Sequence, residues 1–318
     1  MGMTIGLAIG LYAFCVGAVV GSFLNVVIAR VPRGESIVHP GSRCPRCAAP
    51  IAWFDNVPVV SWLVLGAKCR HCKLPISARY PMVELLVGVL AVAVERRFGI
   101  SVAAVGFFAL AAALVALAYI DLDTWLLPHE ITWPLLGLGL ASPLWNPALS
   151  YRDSIIGAAV GFGLFAAIAL FGERVLKRET MGWGDVWLLG GIGAWLGWRA
   201  LLPVVMLSAL QGAVVGSLML AVKRKELPPP ATPAAPDLPA TPPAPDAAPA
   251  DAAPPGAVEG APPPAAAADA DLVIEDDWVP PPHAVPYGPF LALAALEQLL
   301  LGDFLLAAYD RLLFRLWS

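Results

Sequence analysis

Long apolar runs separated by short polar breaks dominate the chain, at residues 5–28, 82–94, 102–120, 131–145, 155–171, 186–196, 201–222 and 290–308. A helix that crosses a bilayer needs about 20 mainly apolar residues. The runs meet or approach that length, the second, fourth and sixth being the shortest. The pattern predicts an all-α polytopic membrane protein of about eight transmembrane helices. Two polar stretches interrupt it, one after the first run and one before the last.

Composition supports this reading. Of the 318 residues 58% are hydrophobic and 14% charged, and mean hydropathy is +0.73, whereas soluble domains carry about 25% charged residues. The first run has no basic residue before it and is followed by Arg30 and Arg33, so it reads as a retained anchor and not as a removable signal. The formal net charge of −4 hides a division: ten acids lie between Glu226 and Asp277 without one Lys or Arg, leaving 20 basic against 14 acidic residues elsewhere. Basic loops are retained in the cytoplasm. The stretch from Arg30 to Arg79 holds eight basic residues, which places it inside and the N-terminus outside. Alternation then puts the loop after Asp121, the group Arg174, Lys177 and Arg178, and the cluster Lys223 to Lys225 inside as well. Arg96, Arg97, Arg152 and Arg199 fall outside, against the rule.

Residues 226–282 are Pro, Ala and acid, a composition that buries too little surface to offset chain entropy, so a disordered cytoplasmic loop is expected there. Residues 30–81 are too few for a good core without a staple. Four of the five cysteines lie in this stretch, as Cys44-Pro-Arg-Cys47 and Cys69-Arg-His-Cys72, with 21 residues between the pairs. Each CxxC turn presents two thiolates to one side, and four thiolates make the tetrahedral shell that zinc prefers. A cytoplasmic location disfavours stable disulfides, so one structural zinc is expected on Cys44, Cys47, Cys69 and Cys72, in a small cytoplasmic zinc-binding loop domain. His71, inside the second pair, could compete as a ligand, but the four cysteines already complete the shell. Cys15, alone in the first run, reads as a small buried apolar residue. The expected organisation is a first transmembrane helix at 1–29, the four-cysteine region at 30–81, a transmembrane core at 82–225, the acidic loop at 226–282, and a final helix with the C-terminus at 283–318.

Acids at membrane depth are costly, and each is a functional candidate. Asp121 and Asp123 follow the third run, and Asp185 closes Gly182-Trp183-Gly184-Asp185 at the start of the sixth. With the orientation above, Asp121 and Asp185 both fall at cytoplasmic helix ends. Two carboxyls that share a site hold a single proton between them near neutral pH, so one activates water while the other hydrogen-bonds a scissile carbonyl. Lone acids capping helix ends are the plainer alternative. A proton-relay transporter would set its acids near the midplane in broken helices, and a scaffold presenting a metal knuckle is a third reading. Other chemistries lack their motifs: His129-Glu130 has no second His at the zincin spacing, Trp125 follows Asp123-Thr124 where an Asp-Thr-Gly turn needs Gly, and there is no Gly-x-Ser-x-Gly elbow or Gly-x-Gly-x-x-Gly between strand and helix.

Taken in order, the motifs resemble one family, the bifunctional type IV prepilin leader peptidases, or prepilin peptidase/N-methyltransferases. They run from Gly21-Ser22-Phe23-Leu24-Asn25 with Arg30 and Pro32, through the two CxxC pairs around Asp55-Asn56-Val57-Pro58, to Ile76-Ser77-Ala78-Arg79-Tyr80-Pro81 with Glu84. Asp121 with Leu127-Pro128, the Gly182 to Asp185 block and Pro286-Tyr287-Gly288-Pro289-Phe290 follow. The resemblance covers nearly the whole chain apart from the acidic insert. It implies an aspartic endopeptidase of the bacterial inner membrane, multi-pass, with Asp121 and Asp185 as its catalytic pair facing the cytoplasm. The implied substrates are type IV prepilins or type II secretion pseudopilins, and no nucleic acid partner is expected. It also implies methylation of the freed N-terminus, with S-adenosylmethionine as donor. Two positions depart from the family pattern: His129, where Asp or Asn is common, and Trp187, where Lys is common.

Overall fold

The computed structural model describes residues 2–178, 180–224 and 285–317, so the acidic insert expected at 226–282 lies outside the described residues. Nine α-helices are described: α1 (Gly2–Arg30), α2 (Val60–Val64), α3 (Arg79–Phe98), α4 (Val102–Thr124), α5 (His129–Ala141), α6 (Tyr151–Phe171), α7 (Trp183–Leu196), α8 (Trp198–Arg224) and α9 (Gly288–Trp317). No strand occurs among the described residues, only two isolated bridges, and the all-α expectation holds.

The count of eight spans is not confirmed. Each apolar run lies in or largely overlaps a helix, but four described segments are long and apolar enough to cross a membrane: Thr4–Arg33, Val102–Thr124, Tyr151–Leu176 and Trp198–Ala221. The chain is thus a multi-pass membrane protein. α5 and α7 have only 13 and 14 residues, about 20 Å at 1.5 Å per residue, short of the roughly 30 Å of hydrocarbon. Their limits are local. Extended Pro128 opens α5 and the Ser142–Leu144 turn ends it, while α7 runs from extended Gly182 to left-handed Gly197 (φ 78°).

α4 is the central helix. Half of its most apolar window is buried, against 28% for α1 and α6 and 11% for α8. Its residues Leu110, Leu114 and Leu117 pack with α5, α6, α7, α8 and α9. Ala111, Val115 and Ile120, on another side, pack with α1 and α3. A helix that is apolar all round suits this place. Lipid is as apolar as leucine, so close backbone packing must hold the outer helices. α6 crosses α7 at Gly157 and Gly193, where a Cβ on either would collide with the other's carbonyl, and α1 meets α3 where a Cβ on Gly17 would lie 2.6 Å from Ala91 Cβ.

Between α1 and α3 the chain folds into turns pinned to the helices. Val59, a β-branched residue, takes φ 62° and ψ −50°, and the Val60 N–H reaches the Pro58 carbonyl across it at 2.6 Å. This strained γ-turn is held from below: the Val59 N–H donates to Oε2 of buried Glu84 on α3 at 2.7 Å. The Glu84 carboxylate thereby ties the loop to the helical body.

Candidate active site and metal-binding loop

α4 continues past Ile120 for one more turn, so Asp121 and Asp123 belong to the helix itself. Thr124 Oγ1 donates to the Ile120 carbonyl at 2.8 Å, and left-handed Trp125 (φ 57°) donates its N–H to the Asp121 carbonyl at 2.9 Å, closing the helix. Two residues apart on a helix, the two acids face different ways. Asp121 is 5% exposed. Asp123 is exposed and pairs with Arg79 at 2.6 Å, whose guanidinium lies 4.9 Å from the Tyr119 ring centre.

Asp185 sits in the first turn of α7, where its N–H donates to the Gly182 carbonyl at 3.1 Å. Its Oδ1 is buried without a hydrogen-bond partner among the described residues. The structure brings Asp185 and Asp121 together, near enough for their charges to interact. Leu127 makes this possible by seating against both flanking helix starts. A Cβ on Gly184 would lie 2.6 Å from Leu127 Cβ, and one on Gly288 would lie 3.4 Å from Leu127 Cδ1. The spacing of Leu127 after Asp121 thus places α7 and α9 around one carboxylate.

Gly288 opens α9 with its backbone against the Asp121 carboxylate. Beside it, Tyr287 Oη and Ser208 Oγ on α8 share a hydrogen bond, and Tyr287 lies within electrostatic reach of Asp185. Tyr287 and Gly288 were not among the expected site residues, although both lie in the Pro286 to Phe290 block that carries the resemblance. A Cβ at Gly288 would stand 2.5 Å from Asp121 Oδ2. Gly288→Ala is therefore expected to displace the carboxylate and lower peptide cleavage by about 10- to 100-fold while both aspartates remain, since misplacement by about 1 Å costs up to that much. Turnover of a prepilin by Gly288→Ala at the wild-type rate would show that this contact is not tight.

The two CxxC segments fold alike, the second repeating the first 25 residues on. In the first, Cys44 N–H reaches the Ala49 carbonyl, Ala48 N–H the Cys44 carbonyl and Ile51 N–H the Ser42 carbonyl; in the second, Cys69, Lys73 and Ile76 make the corresponding bonds to Leu74, Cys69 and Ala67. Ala48 (φ 55°) and Lys73 (φ 59°) occupy the same left-handed position. The four sulfurs lie within 4.8 Å of one another, with Cys44 to Cys72 at 3.9 Å and Cys47 to Cys69 at 4.0 Å. Tetrahedral zinc with bonds of about 2.3 Å requires sulfurs about 3.8 Å apart, so the donor set fits. The backbone N–H groups of Cys72 and His71 hold the Cys69 thiol down, while burial and the neighbouring thiols push Cys72 up, so a metal must displace the protons the group retains. His71 is not part of the cluster. Cys15, expected to be buried, is exposed on the outer face of α1; a spanning helix keeps apolar residues on its lipid side as readily as inside.

Two family models match the chain, the bacterial peptidase A24 N-terminal domain over residues 15–98 and the type IV leader peptidase family over residues 108–217. A prepilin leader peptidase/N-methyltransferase of Myxococcus xanthus (strain DK1622) is 45% identical over 305 residues, 92% of this chain and 90% of that one. The chain belongs to the type IV leader peptidase family. Proteins of the same name from Burkholderia pseudomallei (strain 1026b) and Aeromonas hydrophila are 41% and 40% identical, over 64% of this chain and 74% and 78% of theirs. No solved structure matches the chain.

Within this leader peptidase the family models divide at the α3–α4 connection: the four-cysteine loop lies in the first match, and Asp121 and Asp185 lie in the second. Both acids stand at helix ends, not in broken helices at mid-span, which is where a proton relay would set them. The two unusual residues meet each other. The His129 ring stacks on Trp133 at 5.1 Å and meets Trp187 edge-on at 6.3 Å, while Trp187 also packs on Phe162 at 4.9 Å. This aromatic cluster joins α5, α6 and α7 beside the site and leaves both aspartates in place.

Proposed function

We propose that this chain is a membrane aspartic endopeptidase that removes the leader of type IV prepilins or type II secretion pseudopilins, and then methylates the freed N-terminus. The observation that carries the reading is the approach of half-buried Asp185 to buried Asp121, with an Asp185 oxygen that has no partner among the described residues. In this reading the ionised aspartate takes a proton from water as it attacks the scissile carbonyl, and the protonated one donates a hydrogen bond to the carbonyl oxygen. Asp121, which faces the Gly288 backbone, is the base in this reading and Asp185 the initial acid. Collapse of the tetrahedral intermediate sends a proton to the departing amine and breaks the C–N bond.

Cys44, Cys47, Cys69 and Cys72 would hold one zinc, which supplies folding free energy to the loop and no reaction step. S-adenosylmethionine, when bound, supplies the methyl group; no group of described residues forms a nucleotide cradle of the Gly-x-Gly-x-x-Gly kind, and no residue is assigned to it. A cytoplasmic site in the bacterial inner membrane is supported by the basic Arg30 to Arg79 stretch. The Arg79 to Asp123 pair supports a common side, since it joins the end of that stretch to the helix end bearing Asp121.

The test is to incubate purified protein with a prepilin and S-adenosylmethionine and follow intact mass. Loss of the leader followed by the increment of one methyl group is expected, and an unchanged prepilin would refute the peptidase reading. Replacing residues 226–282 by a short Gly/Ser linker is expected to preserve cleavage, because that insert lies outside both family matches and has a composition unsuited to packing. Complete loss of cleavage with the helices still inserted would give the insert a direct role.

A further inference from the structure

Where α1 leaves its apolar span, one stripe of the helix faces a cavity of about 280 Å³. Val19, Phe23, Val26 and Arg30, three or four residues apart, form the stripe with Ser22 beside them, and the opposite wall comes from residues 37, 38, 40–42, 56 and 58 of the Cys loop. Arg30 is the only charged residue among the described residues that line the cavity. Its guanidinium donates to the carbonyls of Ser36 at 2.9 Å and Gly41 at 3.4 Å, which orient it without neutralising it. No carboxylate pairs with it among the described residues. The hydroxyl of Ser42 and the amide of Asn56 share the lining.

We propose that this groove binds one anionic phospholipid, an acyl chain lying along Val19, Phe23 and Val26 and the phosphate meeting Arg30. Dimensions and charge both favour this occupant. From Val19 to Arg30 the helix rises about 16 Å, half of the roughly 30 Å hydrocarbon thickness, which is the depth of one leaflet. Val19 and Phe23 are exposed, as an acyl-chain contact requires. A planar guanidinium matches a phosphate through paired donors. The methyl donor has a carboxylate that could meet Arg30, but its sulfonium and ammonium find no carboxylate among the described residues of the lining. Bound lipid would fill the gap between α1 and the Cys loop, making the seating of that loop sensitive to the headgroups around it.

Native mass spectrometry of the detergent-solubilised full chain, titrated with dioleoyl-phosphatidylglycerol or dioleoyl-phosphatidylcholine, tests the proposal. Wild type is expected to retain one phosphatidylglycerol in preference to phosphatidylcholine. Arg30→Gln should lower phosphatidylglycerol affinity about tenfold and erase the preference, and Arg30→Lys should keep much of it. Gly41→Trp provides a variant that leaves Arg30 intact: a Cβ there meets nothing within 4 Å, so the indole is expected to fill the groove and abolish the adduct. An unchanged preference in both Arg30→Gln and Gly41→Trp would overturn the proposal; if Arg30→Gln does not fold, Gly41→Trp alone decides. A photoreactive residue replacing Val38 should capture lipid, and capture of S-adenosylmethionine or prepilin in its place would equally overturn it.

Discussion

Asp121→Asn and Asp185→Asn are each expected to lower prepilin cleavage by about 10³-fold or more, because one remaining carboxyl cannot serve as both base and acid. Neither change should unfold the protein. An amide is nearly the same size as the carboxyl, and at Asp121 it fits against the same Gly288 backbone. Asp123→Asn provides the contrast on the same helix turn. It breaks an exposed pair with Arg79, and exposed pairs contribute about 0–1 kcal/mol, so cleavage should fall only a few-fold. The measurement is initial rate of leader removal by the three variants at matched expression in membranes. Wild-type cleavage by either Asp121→Asn or Asp185→Asn would rule out the pair, and equal loss in all three would remove the distinction between a reacting carboxyl and a surface one.

The difference between those aspartates was only half legible from sequence. The helices were readable because apolar runs must be satisfied within themselves in lipid, and the two CxxC pairs because thiolate spacing is a local property. The apolar run stops at residue 120, but the helix goes on to Thr124. In the structure Asp121 turns inward and Asp123 is neutralised by Arg79, so the helix carries both. Gly288 was harder still: it sets its backbone, which no residue type advertises, against a carboxylate far earlier in the chain. The shortness of α5 and α7 was visible as short runs. That they cover only part of a bilayer's thickness follows from caps at Pro128, Gly182 and Gly197, and hydropathy alone does not report caps.

Cys44→Ser or Cys72→Ser is expected to lower zinc affinity by more than about 100-fold, since removing even an outer-shell partner costs 10- to 100-fold. The geometry explains why one thiol matters so much. Each knuckle closes its own backbone bonds, but the sulfur contacts across the knuckles join Cys44 to Cys72 and Cys47 to Cys69. Either substitution therefore removes one of two crossings. The Asp55 to Arg70 pair, at 2.6 Å, does not replace them, because half of the Arg70 side chain is exposed and solvent screens such pairs. With the metal lost, the loop retains its tie to Glu84 and the aspartates remain where the helices put them. Methylation should accordingly be impaired and leader cleavage reduced without being abolished. Acid should act in the same direction as the substitution, since protons compete with zinc for thiolates, whereas Asp121→Asn should leave metal content at one per chain. Elemental analysis of protein purified without chelator reads the first effect, and a coupled cleavage and methylation assay reads the second. Wild type without stoichiometric metal would sink the zinc assignment. Full methylation by a zinc-free variant would separate the four-cysteine loop from methyl transfer, and cleavage lost as completely as in Asp121→Asn would mean that the loop and the aspartates form one working unit.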